Sequence, residues 1–139
     1  MRRNVLLSLV LSAPLASCTE APKAPPHPLE GLWRTSPEDL PYTGGIPNQT
    51  HVTVSLMLGR DGFASFRPLY TGGGFSHVGS SADDGKRFRW READGLLTFE
   101  DDTSTCRGSA SETKIEIDVA GCTILAQLVS LPKVSFARP

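Results

Sequence analysis

Val52-Thr53-Val54-Ser55-Leu56-Met57-Leu58-Gly59-Arg60-Asp61-Gly62-Phe63-Ala64-Ser65-Phe66-Arg67-Pro68-Leu69-Tyr70 decides the fold class of this chain. Val52, Val54, Leu56 and Leu58 alternate with Thr53, Ser55 and Met57, the period of a strand with one buried face. The turn at Arg60-Asp61-Gly62 then sets the register of the strand that follows. A three-residue loop with Gly62 in the left-handed conformation places Leu58 opposite Ala64, Leu56 opposite Phe66 and Val52 opposite Tyr70. A two-residue loop sets Leu56 against Arg67 instead. The longer loop, which keeps the apolar side chains on one face, is therefore predicted.

A second hairpin follows by the same logic. Lys86-Arg87-Phe88-Arg89-Trp90-Arg91 meets Leu96-Leu97-Thr98-Phe99-Glu100-Asp101-Asp102 across Asp94-Gly95. A two-residue turn there puts Trp90 opposite Phe99, Arg89 opposite Glu100 and Arg87 opposite Asp102. One face becomes aromatic and the other a ladder of opposite charges, each pair worth ~0.2–1 kcal/mol. Basic residues interleaved with aromatics also describe a platform for single-stranded nucleic acid. Here the next strand supplies the acids and the rings point inward. A net charge of −1 adds no global attraction for nucleic acid.

Working outward, further strands are expected at Gly31 to Thr35, Thr105 to Ser109, Lys114 to Val119 and Cys122 to Val129, with Val134 to Ala137 as an optional addition. The run from Cys122 to Val129 is more continuously apolar than the alternating Lys114 to Val119 and reads as more buried. Ser36-Pro37-Glu38-Asp39 is the one helix start, with a Ser cap, Pro in the first position and acids in the first turn; Leu40-Pro41 limits it to one turn. The 13 glycines and 11 prolines stand largely between short apolar runs, which favours turns and strands. About eight strands without a crossover helix argue for a small antiparallel barrel or sandwich.

The N-terminus carries a different message. Met1-Arg2-Arg3-Asn4 precedes an apolar run from Val5 to Leu15. A basic start and an apolar stretch of ~7–15 residues form a secretory signal peptide, and the run is short of the ~20 residues a spanning helix needs. It ends Leu15-Ala16-Ser17-Cys18, which resembles the lipobox of bacterial lipoproteins. The resemblance implies a signal peptide over residues 1–17, cleavage before Cys18 and diacylglyceryl transfer to its sulfur, whose thiolate is the nucleophile. It also implies fatty acylation (palmitate) of the new amine in many bacteria, and two or more acyl chains make a stable anchor. Thr19 rather than Asp after the cysteine implies the outer membrane, with the domain facing the periplasm. Losing Arg2 and Arg3 leaves the mature chain more acidic still.

Residues 19–28, Thr-Glu-Ala-Pro-Lys-Ala-Pro-Pro-His-Pro, form a linker that favours polyproline II at ~3.1 Å per residue, a semi-rigid spacer. The folded domain is expected over 29–139. With Cys18 lipidated, Cys106 and Cys122 are left as a pair, and an oxidising periplasm favours their disulfide. If both stood at matching strand ends with one strand between, they would be ~10 Å apart, too far to bridge. The pairing thus requires one cysteine in a loop or a coiled sheet.

Leu29-Glu30-Gly31-Leu32-Trp33-Arg34, a one-turn helix and a strand ending in Arg60-Asp61-Gly62-Phe63 together resemble the lipocalin-like small lipoproteins of bacteria. Gly31 and Trp33 match the Gly-x-Trp motif of the first lipocalin strand. The resemblance implies an up-and-down antiparallel barrel of about eight strands, with Trp33 as a plug at one end. Such a barrel is just wide enough to be filled by side chains or to hold one small ligand. Tyr70, Phe88, Trp90 and Phe99 are the candidate ligand-facing residues, and the same side chains can equally fill the core.

Motifs for catalysis are incomplete. Gly74 to Gly79 has the spacing of a phosphate loop, but Ser80 stands where Lys is required and no helix follows. Ser76 and His77 are adjacent, and in a strand adjacent side chains diverge; Val78 breaks the nucleophile elbow. Thr71 to Ser81 reads as a loop at the barrel mouth. His27, His51 and His77 lack metal-ligand spacing, and Asp83-Asp84 and Glu100-Asp101-Asp102 lack the spaced oxygens of a Ca²⁺ loop. The expectation is a non-enzymatic binding domain, without metal or cofactor, for a small apolar ligand or a protein partner. The alternative is a periplasmic protease inhibitor of the small β-barrel type, with the Pro-rich segment entering the protease cleft, or a subunit of an envelope assembly.

Overall fold

A computed structural model describes residues 26–72, 75–78 and 87–139. Residues 1–25, on which the expected signal peptide, Cys18 and most of the expected linker fall, lie outside the described residues, as do Gly73, Gly74 and residues 79–86. The elements are β1 (Gly31–Thr35), β2 (Leu40–Pro41), β3 (His51–Leu58), β4 (Phe63–Gly72), β5 (Phe75–Val78), β6 (Phe88–Ala93), β7 (Leu96–Glu100), β8 (Thr105–Ala110), β9 (Lys114–Asp118), α1 (Thr123–Ala126) and β10 (Lys133–Ala137). Eight of the strands close a ring in the order β1-β3-β4-β6-β7-β8-β9-β10 and back to β1, every pair antiparallel. This is the up-and-down barrel expected from the sequence. Short β2 extends the free flank of upper β3, and β5 lies along upper β4.

The hairpin registers are those that turn chemistry predicts. Leu58 pairs with Ala64, Leu56 with Phe66 and Val52 with Tyr70, and Gly62 has φ +83° in the three-residue loop. Trp90 pairs with Phe99 and Arg89 with Glu100. Asp94 and Gly95 both have positive φ, as a two-residue turn with the right twist demands. The charge ladder differs in its partners: Arg87 pairs with Asp61 at 2.6 Å rather than with Asp102, and Arg91 reaches Glu100 at 3.1 Å. β7 ends at Glu100 and Asp102 has already entered the next turn, whereas the β3–β4 loop brings Asp61 beside Arg87.

Two expected elements are corrected. Residues 36–39 bend instead of forming a helical turn: the Thr35 hydroxyl donates to the Glu38 carbonyl, and the Asp39 carboxylate accepts from the Thr53 hydroxyl of β3. Cys122 to Val129 is not a strand. It forms α1 and the turn after it, burying Cys122, Ile124, Leu125, Leu128 and Val129 at the spacing of one helical face. β10, beginning at Lys133, takes the closing place in the ring.

Inward residues fill the barrel. Phe66 stands at the centre, with ring centroids of Phe88 and Phe99 at 5.5 Å and Phe136 at 6.3 Å, all edge to face, the geometry that aromatic quadrupoles favour. Leu56, Leu58, Leu97, Ile115 and Ile117 complete the layers around them.

Chain direction defines two ends. β1 starts and β3 finishes at one of them, Gly31 facing Leu58, together with the turns at 59–62 and 94–95 and the C-terminal residues; we call this the root end. The other end carries residues 36–50, the turn after β7 and α1.

Candidate binding site

At the root end the chain enters along the rim. Trp33 is completely buried and its indole N–H donates to the Leu29 carbonyl at 2.8 Å. Arg138, just past β10, lays its guanidinium 4.2 Å from the Trp33 ring. Its two terminal nitrogens donate to the Glu30 and Pro28 carbonyls at 2.8 and 2.7 Å. His27 joins the same arrangement. Its Nδ1 accepts from the Leu29 N–H, its Nε2 lies 3.3 Å from Glu92, and its ring meets Trp90 edge-on at 5.2 Å. A hydrogen bond from the Gly95 backbone N–H, and then His27, hold the Glu92 carboxyl below the usual glutamate value of 4.5. His27 and Pro28, assigned from composition to the linker, are thus packed onto the barrel.

At the other end α1 lies across the opening. Cys122, its N-cap, is bonded to Cys106 of β8 with the Cα atoms 4.4 Å apart. This is the expected disulfide, and the geometry is possible because Cys122 has left the sheet. Closing a loop of 16 residues contributes about 3 kcal/mol on the chain-entropy model. Beside α1 runs an apolar groove of about 370 Å³ between Tyr42, Ile46, Pro68, Tyr70, Ile124 and Leu128. The Thr43 N–H donates to the Leu128 carbonyl at 3.0 Å and ties the two walls together. Tyr42 meets Tyr70 edge-on at 5.0 Å, and the Tyr42 ring folds over Gly44, where an added Cβ would touch it. Ile46 is 38% exposed, an apolar side chain offered to solvent on the groove wall.

The four candidate ligand-facing residues do not converge on one cavity. Phe88 and Phe99 are buried in the Phe66 cluster, Tyr70 lines the α1-end groove, and Trp90 is half-buried beneath the β3–β4 loop with its N–H donating to Gly59 at 2.9 Å. Trp90 borders a wider groove of about 500 Å³ with Asp61, Phe63, Arg91 and Glu100. Asp61, Arg91 and Glu100 are engaged in the Arg87–Asp61 and Arg91–Glu100 pairs while Arg89 also lines the wall, so this groove is charged, and the apolar one is the better candidate for an apolar partner. Tyr42, Ile46 and Leu128 escape a reading of the sequence because they come from a bend and a helix exit with no periodic pattern. Ser76 and His77 belong to β5, where β4 and β5 form a hairpin in place of the expected loop.

Among the described residues, no group of three or more His, Cys, Asp or Glu is placed to hold a metal, and no helix is long and apolar enough to cross a membrane. Comparison with protein-family models, with curated proteins and with solved structures finds no match to this chain.

Proposed function

We propose that this protein is a lipid-anchored lipoprotein of the bacterial envelope, facing the periplasm from the outer membrane, whose barrel is a non-enzymatic module that binds a protein partner on its outside. One observation supports an external site above all: the interior is occupied by the Phe66, Phe88, Phe99 and Phe136 rings. A ligand pocket ordinarily needs some 300 Å³ or more of concave, largely apolar space. The α1-end groove between Tyr42, Ile46, Tyr70 and Leu128 has that size and character. Its occupant in this reading is an apolar side chain or short segment of another envelope protein.

Two experiments test the proposal. Cys18→Ser abolishes acylation, so the chain should leave the membrane fraction and its intact mass should lack fatty chains; a variant that stays bound overturns the anchored reading. A photo-crosslinking residue at Ile46 should capture one discrete envelope protein, and Tyr70→Ala should suppress the adduct. Recovery of a small apolar molecule from the purified protein instead would replace the partner by a ligand, and equal crosslinking from Leu96 would show that the groove is not the site.

A further inference from the structure

The packed root fixes where the chain leaves the barrel. Pro26, His27 and Pro28 do not leave the domain in an arbitrary direction. Five contacts hold residues 27–30 against the root end: two from Arg138, one from the Trp33 indole, and two from His27 to Glu92 and Trp90. Their partners lie on β1, on β6 and just after β10, so the segment is fixed to three separate parts of the wall.

Building on the lipoprotein reading, we propose that the root end is the face the barrel turns to its own bilayer, so that α1, the disulfide and the Tyr42–Tyr70 groove point away from the lipid. Between Cys18 and Pro26 there are residues 19–25, which reach about 25 Å at most when fully extended. β4 has 10 residues, and at ~3.3 Å per residue with the usual barrel tilt the wall is about 25 Å high. Bringing the α1 end to the headgroups would require the linker to run the whole height of the wall at full stretch. With the root turned down, the same linker needs no stretching. The root end carries Arg60, Lys114 and Arg138 beside Glu30, Asp61, Glu92, Asp94 and Glu112, a mixture rather than a basic patch. Orientation therefore comes from the linker and its packed root and not from attraction to anionic lipid.

The mature protein lends itself to a direct test. Once Cys18 is a thioether and Cys106 and Cys122 are bonded and buried, an added cysteine is the one free thiol. Leu96 and Ile46 are exposed and lie at opposite ends, Leu96 beside the Gly95 turn and Ile46 on the α1-end groove. The acylated chain carrying Leu96→Cys or Ile46→Cys is labelled with a fluorophore and reconstituted into phosphatidylcholine vesicles bearing a headgroup acceptor. Energy transfer should be at least twofold greater from position 96 than from position 46. Equal transfer, or more from position 46, overturns the orientation while leaving the anchor intact. Protein that elutes free of the vesicles overturns the anchored reading itself, and the orientation falls with it.

Discussion

At the root end, Trp33 is covered by a guanidinium and bonded to the backbone of the entering chain; at the α1 end, a four-residue helix is bonded through Cys122 to the wall of β8. The first seal is assembled from contacts spread over nearly the whole chain, with Arg138 reaching Pro28 across a separation of 110 residues. The second is local and covalent, 16 residues apart. The contrast teaches that the barrel protects its interior by two different physical routes. One depends on burial of a large ring and on a charge held at hydrogen-bond distance; the other reduces the freedom of the unfolded chain.

Trp33→Ala removes the largest buried side chain at the root and should have the greatest effect, about 3–5 kcal/mol in urea unfolding. A loss below 1 kcal/mol would mean that the root end is not a seal. Replacing both Cys106 and Cys122 by Ala should cost about 3 kcal/mol, with the barrel's far-ultraviolet spectrum retained; complete unfolding would make the covalent seal the dominant one and reverse the ranking. Arg138→Ala gives up two charge-assisted bonds and the cover on Trp33 at an exposed position, about 1–2 kcal/mol. Arg138→Lys should recover less than half of that, because a point charge cannot fork to both carbonyls. The smallest effect belongs to Glu92. Its carboxyl is held below the usual value, so its contribution is fully present above 4.5 and disappears as pH falls through the lowered value. Thermal scans of Glu92→Gln should therefore differ from wild type at pH 7, and the difference should shrink as the pH is taken progressively below 4.5. A difference that does not depend on pH at all would show that the carboxylate is not the group responsible.

Most of the wall was legible because its determinants are local. Gly62 needs a left-handed backbone and Asp94-Gly95 a tight turn, and each places an alternating strand opposite another in a register that only one loop length satisfies. The segment from Cys122 to Val129 misleads because a short apolar run does not by its apolar character distinguish strand from helix; the one-sided burial of Ile124, Leu125 and Leu128 becomes visible only when the opening it covers is known. β10 is easy to undervalue, since five residues with two buried side chains, Val134 and Phe136, barely register as alternation. The root escapes for another reason. His27 and Glu92 are 65 residues apart, and no pattern along the chain announces that a proline-rich linker ends by docking. The groove likewise joins a bend, a strand and a helix exit from three distant stretches.

β10 pairs with β1 at Arg34↔Ala137 and Thr35↔Phe136, so the first and last strands of the wall are neighbours. The circle can be completed only after β10 is available to pair with β1. A chain that lacks β10, as during synthesis, must carry unpaired edges on β1 and β9, and such edges invite association with other chains. The longest sequence separation in the wall also lies at the seam, which makes for slow folding. Premature termination a few residues before Ala137 would leave an open sheet prone to aggregate, and a chaperone acting on this protein would have to shield its first strand until its last arrives.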